Sequence, residues 1–306
     1  MSGLLEMLTV PLFQRALLAA LVVGVSAPVV GTFLVQRRLS LLGDGIGHVA
    51  LTGVALGWLV GAATGAARAD AYAVPGAVVA AVIGAVAIET VRGRGRTSGD
   101  LALALLFYGG IAGGVVVIGL AGGTNANLMA YLFGSLATVG TADLVAILVM
   151  SAAILTVGLG LRTALFAVSH DEEFARSTGL PVGALNIAVA VVAALTVTVS
   201  MRVVGLLLVS ALMIVPVAAS QLVARSFRQT MRLAMVIGAT ACVAGLVVTF
   251  VVPLAPGAVI VVLAIAIYAG VAALRPVLAR ARRRDGGSRE VSRGDATHDA
   301  AAGSAR

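Results

Sequence analysis

The chain has 306 residues, of which 60% are hydrophobic and only 11% are charged, and its mean hydropathy is +1.09. Soluble globular domains carry about 25% charged residues, and a soluble chain this apolar would expose too much hydrophobic surface to stay in solution. The composition therefore excludes a soluble protein and predicts an all-α, polytopic integral membrane protein embedded in a lipid bilayer.

The net charge of +8 does not indicate a nucleic-acid-binding protein. All 21 basic residues are arginines, and they lie in short gaps between apolar runs and in the C-terminal tail. This is the positive-inside pattern of membrane proteins rather than a basic stripe along one face. The chain has one cysteine, Cys242, in an apolar run, which excludes a disulfide within the chain.

Nine apolar runs follow in chain order, and each approaches the roughly 20 residues that a helix needs to cross a bilayer core about 30 Å thick. The runs 183–200 and 203–221 are separated only by Met201 and Arg202. They predict either two spans, or one span and a broken half-helix. The predicted spans are 12–36, 43–61, 72–91, 101–121, 142–161, 183–200, 203–221, 233–252 and 257–274.

The arginine-rich gaps alternate with nearly uncharged gaps, so nine spans would place the N-terminus outside and the C-terminus in the cytoplasm. An even number of spans with one re-entrant piece fits the same alternation. Residues 1–278 are predicted to form one transmembrane domain. Residues 279–306 lack the apolar content to bury a core, which predicts a disordered basic cytoplasmic tail with arginines on anionic lipid headgroups.

Two ionisable residues, Asp44 and His48, stand at the start of the second predicted span. Their i, i+4 spacing places both side chains on one face of a helix, and a carboxylate oxygen with an imidazole nitrogen suits a divalent cation such as zinc or manganese. The structural alternative is a capping aspartate and a histidine hydrogen-bonded to a neighbouring helix. Ionisable groups inside a membrane are costly and usually functional, which favours metal ligation, with further ligands from other helices.

Two other segments are candidates for interactions. Asn127 and Tyr131 follow a polar gap on the outer side and are candidates for a pore entrance, with aromatic-belt and capping roles as alternatives. The segment 169–181 mixes charged residues with Phe174 and ends in Gly179 before a proline. It predicts a short amphipathic helix with a glycine stop, able to dock into a partner's groove; the alternative is a solvated loop.

Several catalytic chemistries are excluded by the sequence. A nucleotide-binding P-loop needs a lysine, and the chain has none. The HExxH and GxSxG motifs are also missing. The sequence therefore predicts no enzyme and no permanently bound cofactor.

Four stretches together resemble the permease subunits of ABC transporters that import zinc, manganese or iron, and the likeness covers about residues 8–275. The resemblance implies a type II importer permease in the plasma membrane of a bacterium, homodimeric or occasionally heterodimeric, with its pore at the dimer interface. It also implies a separate cytoplasmic ATPase pair and an extracellular solute-binding lipoprotein that delivers the metal. The stretches are FLVQRRLSLLGDGIGHVALTGVALG (33–57), LMAYLFGSLATV (128–139), VSHDEEFARSTGLPV (168–182) and TVTVSMRVVGLLLVSALMIVPVAASQLVARS (196–226).

The resemblance also implies roles for single residues. Asp44 and His48 match the D-x-x-x-H pair that contacts the metal in the translocation path. Relatives often carry acidic residues where this chain has Asn127 and Ser135, so the metal entry path would be less negative. His170 stands where relatives usually have an aromatic or polar residue. The segment that would dock on the ATPase comprises Asp171, Glu172, Glu173, Phe174, Ala175 and Gly179.

Other classes of membrane protein stay open as alternatives. A proton- or sodium-coupled secondary transporter would need membrane-embedded carboxylates, for which Asp44 and Glu89 are the candidates, and usually an internal repeat. A siderophore or cobalamin permease shares the architecture but has no need of the Asp44 and His48 pair, and neither has a non-transporting scaffold. For a metal permease, imidazole ligation favours zinc modestly over manganese.

Overall fold

The computed structural model describes residues 10–65, 71–93, 99–120, 129, 131–134, 140–206 and 208–275, and within these ranges the chain forms helices and turns with no β-strand. This confirms the predicted all-α membrane fold. The helices are α1 (Pro11–Gln36), α2 (Leu42–Ala63), α3 (Ala73–Gly93), α4 (Gly99–Leu120), α5 (Thr141–Gly160), α6 (Arg162–His170), α7 (Glu172–Ser177), α8 (Val182–Ser200), α9 (Val209–Gln221), α10 (Phe227–Val251) and α11 (Pro256–Arg275). The tail predicted for 279–306 lies outside the described residues.

Eight of these helices are long and apolar enough to cross a membrane: α1–α5, α8, α10 and α11. Each coincides with a predicted span. The largest shift is at α10, which begins at Phe227 although the apolar run begins at 233. Hydropathy misses residues 227–232 because Arg228 and Arg232 are charged. These residues are nevertheless helical, since the Ser226 hydroxyl accepts a hydrogen bond from the Gln229 amide and caps the helix.

The seventh predicted run, 203–221, is not a full-length helix. Residues 201–206 form turns, and α9 has 13 residues, which gives a length of about 20 Å against a bilayer core of about 30 Å. The break depends on Gly205, whose φ of +88° suits glycine. A side chain there would also collide with the backbone of Leu132 and Phe133. Of the two alternatives, the structure has one span and a broken half-helix.

The core is formed around α1, α2 and α8, and α2 is a central helix, as its small-residue ridge suggests. Gly53 of α2 lies against the backbone of Gly76 in α3, so a Cβ on either glycine would collide with the opposite carbonyl. By contrast, α4 and α5 present many exposed apolar side chains, such as Leu105, Leu120 and Val149. These faces are suited to lipid or to another chain.

Candidate functional site

A tight turn leads from α1 into α2 and places Asp44 in the first turn of α2. Arg38 adopts a φ of +57°, and the Leu39 amide donates to the Leu34 carbonyl at 2.8 Å, which folds the chain back sharply. The Asp44 side chain forms no capping hydrogen bond. Asp44 therefore does not cap α2 through a hydrogen bond, although its charge at a helix N-terminus is electrostatically favourable.

Asp44 and His48 are both half-buried, and within the described ranges neither side chain forms a hydrogen bond or an ion pair. The Nδ1 atom of His48 is fully buried without a hydrogen-bond partner among those residues. Within the part of the chain that the structure describes, no neighbouring helix offers this histidine a hydrogen bond. An unsatisfied buried polar group costs about 1–3 kcal/mol, so an unpaired carboxylate and imidazole one turn apart need a reason other than packing.

Asp44 opens onto a groove of about 390 Å³ between α2 and α4. The His48 ring lies beside it and meets the ring of Phe107 edge to face, with 4.3 Å between centroids and 77° between planes. Tyr108, whose side chain is 69% exposed, lies at the same groove and contacts Phe107. The groove is lined by Leu41, Asp44, Leu103, Ala104, Phe107 and Tyr108.

The backbone of α4 lies directly against the His48 turn. The Thr52 hydroxyl donates to the Gly110 carbonyl at 2.8 Å, and a Cβ on Gly110 would lie only 2.7 Å from the His48 carbonyl carbon. Phe107, Thr52 and Gly110 have no ionisable group that would mark them in the sequence. The one signal for them is the glycine pattern GGIAGG at 109–114, which is typical of close helix contact.

Asp44 and His48 supply two donors, and among the described residues there is no cluster of three or more His, Cys, Asp or Glu side chains that could hold a metal ion. One carboxylate oxygen and one imidazole nitrogen can take a divalent cation only with further donors. These donors would have to be water, hydroxyl or backbone oxygens, or groups of another chain. Such a site suits an ion that passes through rather than one that stays.

Charged groups next to α2 are arranged as pairs at the end of α3. Glu89 is buried and accepts a hydrogen bond from Arg92 at 2.9 Å, so it is not a free carboxylate of the kind that ion coupling needs.

Arg37 lies seven residues before Asp44. Burial lowers the pKa of its guanidinium, which the carboxylates of Glu89 and Glu172 partly offset. Since Glu172 belongs to α7, charge on α7 acts on the turn that leads into α2.

The segment 171–179 forms the short helix that the sequence predicts, and Gly179, with a φ of +81°, ends it. Asp171 caps α7 by accepting from the Phe174 amide at 2.9 Å. Ala175 is buried and anchors the helix, whereas the Phe174 side chain is 62% exposed. Beside it lies a groove of about 710 Å³ lined by Glu172, Glu173, Arg176 and Ser177. An apolar ring flanked by charged side chains is a suitable docking feature.

His170, at the end of α6, stacks on Phe166 with 5.7 Å between ring centroids and 15° between planes. Its ring therefore occupies the space of an aromatic side chain.

Tyr131, the candidate for a pore entrance, is only 8% exposed and packs against Trp58, with 5.5 Å between ring centroids. On its other side the Arg202 guanidinium carbon lies 5.4 Å from the centre of the ring. Arg202 also pairs with Asp143 at 3.3 Å. The residues around Tyr131 are closely packed in this conformation, and a role at a pore entrance stays a prediction. Asn127 and Ser135 lie outside the described residues.

Comparison with known proteins finds one family over almost the whole chain: the sequence model of the ABC 3 transport family matches residues 9–275. The chain is 30% identical to the manganese transport system membrane protein MntC of Halalkalibacterium halodurans, with 86% of this chain and 87% of that protein covered. It is 31% identical to the chelated iron transport system membrane protein YfeD of Yersinia pestis, with 83% and 82% covered.

Among solved structures, the fold is similar to a chain of PsaBC from Streptococcus pneumoniae in complex with Fab. The TM-score is 0.77 at 30% identity, and 88% of this chain and 94% of that chain are covered. An inward-facing metal-chelate type ABC transporter matches with a TM-score of 0.62 at 17% identity over 85% of each chain, which supports the fold alone.

Proposed function

Because the chain belongs to the ABC 3 transport family and is a multi-pass transport subunit rather than an enzyme, we propose that Asp44 and His48 line the path of a divalent metal ion. The observation that carries this proposal is that both side chains are unpaired within the described residues. Ionisable groups within a membrane segment are costly and mark ion pathways by default. A passing cation would supply the partner that both groups lack.

The substrate we propose is manganese, ahead of zinc and ferrous iron. One carboxylate and one imidazole can bind any of these ions. Similar permeases are named for manganese and chelated iron. Divalent zinc binds mixed nitrogen and oxygen sites more tightly than divalent manganese, and a site that binds too tightly holds its ion back. Tighter binding therefore counts against zinc as the transported ion and reverses the modest preference for zinc that the imidazole alone suggests.

The proposed transporter contains further subunits. Permeases of this family act with a cytoplasmic ATPase and a solute-binding protein, and we place the ATPase contact at α7, through exposed Phe174 and its charged neighbours. A second copy of this chain would complete the pore and supply further donors to the metal. The solute-binding protein would deliver the ion from the extracellular side, on which Tyr131 is predicted to lie.

The test is uptake of radioactive manganese, and of zinc and iron in parallel, in cells that carry the whole transporter. The permease is wild type, Asp44→Asn or His48→Ala, at equal membrane levels. His170→Ala is the matched control, because His170 stacks on Phe166 away from the groove. We expect uptake to be lost with Asp44→Asn and His48→Ala and kept with His170→Ala. Full uptake by both site variants would remove the pair from the metal path.

The same assay identifies the energy source. Replacing the Walker lysine of the ATPase subunit should abolish uptake, whereas dissipating the proton or sodium gradient at constant ATP should leave it unchanged. The reverse result would favour a secondary transporter.

A further inference from the structure

The two ring nitrogens of His48 are in different environments. Nδ1 is fully buried and has no hydrogen-bond partner in the described part of the chain, whereas Nε2 is not fully buried. A neutral imidazole binds a metal through one nitrogen, and the surroundings of the other nitrogen normally set the orientation of the ring. Among the described residues no hydrogen bond fixes the orientation of the His48 ring. The side chains packed against the ring must therefore fix it.

The backbone of His48 is held by α4. Gly110 allows α4 to approach the His48 carbonyl carbon and the Val49 amide, and the Thr52 hydroxyl fixes the contact by donating to the Gly110 carbonyl at 2.8 Å. The Cα of His48 therefore has little freedom to move. Rotation of the imidazole about its side-chain torsions is what remains to be restricted.

Phe107 is the residue placed to restrict this rotation. It lies one turn before Gly110, on the same face of α4, and its ring meets the His48 imidazole edge to face at 4.3 Å. Phe107 also lines the groove onto which Asp44 opens. A single aromatic ring therefore contacts the imidazole and borders the space beside the carboxylate.

Resting on the proposed function, we infer that Phe107 is a positioning residue for metal transfer: it holds the His48 ring with Nδ1 buried, so that the substrate ion meets Nε2. Without Phe107 the ring would rotate freely, and a passing ion would find the imidazole correctly oriented only part of the time. The affinity for the ion would fall, while the steps driven by ATP would be unaffected.

The first experiment measures the Kd of manganese for the purified permease, from its melting shift on titration with manganese, with Phe107→Ala, Phe107→Leu and Phe107→Tyr. We expect the Ala and Leu variants to raise this Kd about threefold to tenfold, the factor that an aromatic pair of this geometry is worth, with the ATPase rate of the whole transporter unchanged. Phe107→Tyr keeps the ring contact and should keep the wild-type Kd. The leucine variant is the control for volume, because it fills most of the space without the edge-to-face contact.

A second experiment tests which nitrogen faces the ion. In His48→Gln the side-chain amide reaches the position of Nε2, and in His48→Asn it reaches the position of Nδ1. We expect the Gln variant to keep more manganese uptake than the Asn variant. Equal or greater uptake with Asn would overturn the assignment of Nε2.

These outcomes separate the inference from the proposed function. Full uptake by His48→Ala would overturn both. Loss of uptake by His48→Ala, together with a wild-type manganese Kd for Phe107→Leu or Phe107→Ala, would overturn the role of Phe107 alone. A lowered ATPase rate with an unchanged Kd would also contradict it, because that result indicates damage to the fold or to the coupling.

Discussion

Gly110 provides the sharpest test of the contact between α2 and α4. A Cβ there would lie 2.7 Å from the His48 carbonyl carbon and the Val49 amide nitrogen, and ordinary contact begins at 3.4 Å. These are backbone atoms, which no side-chain rotation can move away. The change Gly110→Ala must therefore push the two helices apart by 3.4 − 2.7 = 0.7 Å at this level.

The magnitude follows from three effects. Inserting a methyl group into a packed contact costs about 1–3 kcal/mol, and a shift of 0.7 Å weakens the hydrogen bond from Thr52 to Gly110, worth about 0.5–1.5 kcal/mol. Alanine returns about 1 kcal/mol through its higher helix propensity. We expect Gly110→Ala to lower the free energy of unfolding by about 1–3 kcal/mol, and to lower metal uptake because His48 is displaced.

The adjacent glycine is the matched control. A Cβ on Gly109 would meet no atom within 4 Å, so Gly109→Ala should keep or slightly raise the stability. Thermal unfolding of the purified permease in detergent, followed by size-exclusion chromatography, measures both variants, and metal uptake is measured beside it. Equal melting temperatures for Gly109→Ala and Gly110→Ala would refute the close contact and with it the fixed position of the His48 backbone.

Three further predictions concern other parts of the chain. Arg202→Ala should destabilise the purified protein by about 1–3 kcal/mol, because it removes the charged partner of Asp143, whose carboxylate is largely shielded from solvent. Arg176→Ala removes an exposed pair and should cost less than about 1 kcal/mol in the same thermal assay. Gly179→Ala should cost about 1 kcal/mol at a φ of +81° and reduce ATPase stimulation in the assembled transporter without changing metal binding; normal stimulation would contradict the docking role of α7. Manganese at 100 times its Kd should stabilise the wild-type permease by about 2.7 kcal/mol and leave His48→Ala unchanged in a melting experiment.

The long spans could be predicted from the sequence because a bilayer imposes a length and a composition on each crossing helix. Length and composition predict a full span at 203–221 as well, but there the backbone turns at Gly205. Hydropathy measures how well the side chains of a segment suit an apolar environment. It does not predict whether the backbone of that segment forms an unbroken helix. The start of α10 was missed for the converse reason, since charged side chains can occupy the first turns of a well-capped helix.

The Asp44 and His48 pair could be found because ionisable residues are rare in apolar runs. Its surroundings could not, because Phe107, Thr52 and Gly110 are ordinary residues of a membrane helix. They matter because α4 packs against α2 beside His48. No local sequence pattern specifies which helix α4 contacts. The short helix α7 was predictable, since its N-terminal aspartate and its terminal glycine are local signals.

The break before α9 has a consequence for how the protein is made. A helix of 13 residues is too short to enter a bilayer as an independent unit, and the turns at 201–206 expose backbone groups that lipid cannot satisfy. One of them, the Leu206 amide, is paired with the carbonyl of Tyr131, a residue synthesised some 75 positions earlier. The place of α9 therefore depends on contacts with an earlier part of the chain, and its own apolar length would not hold it across a bilayer.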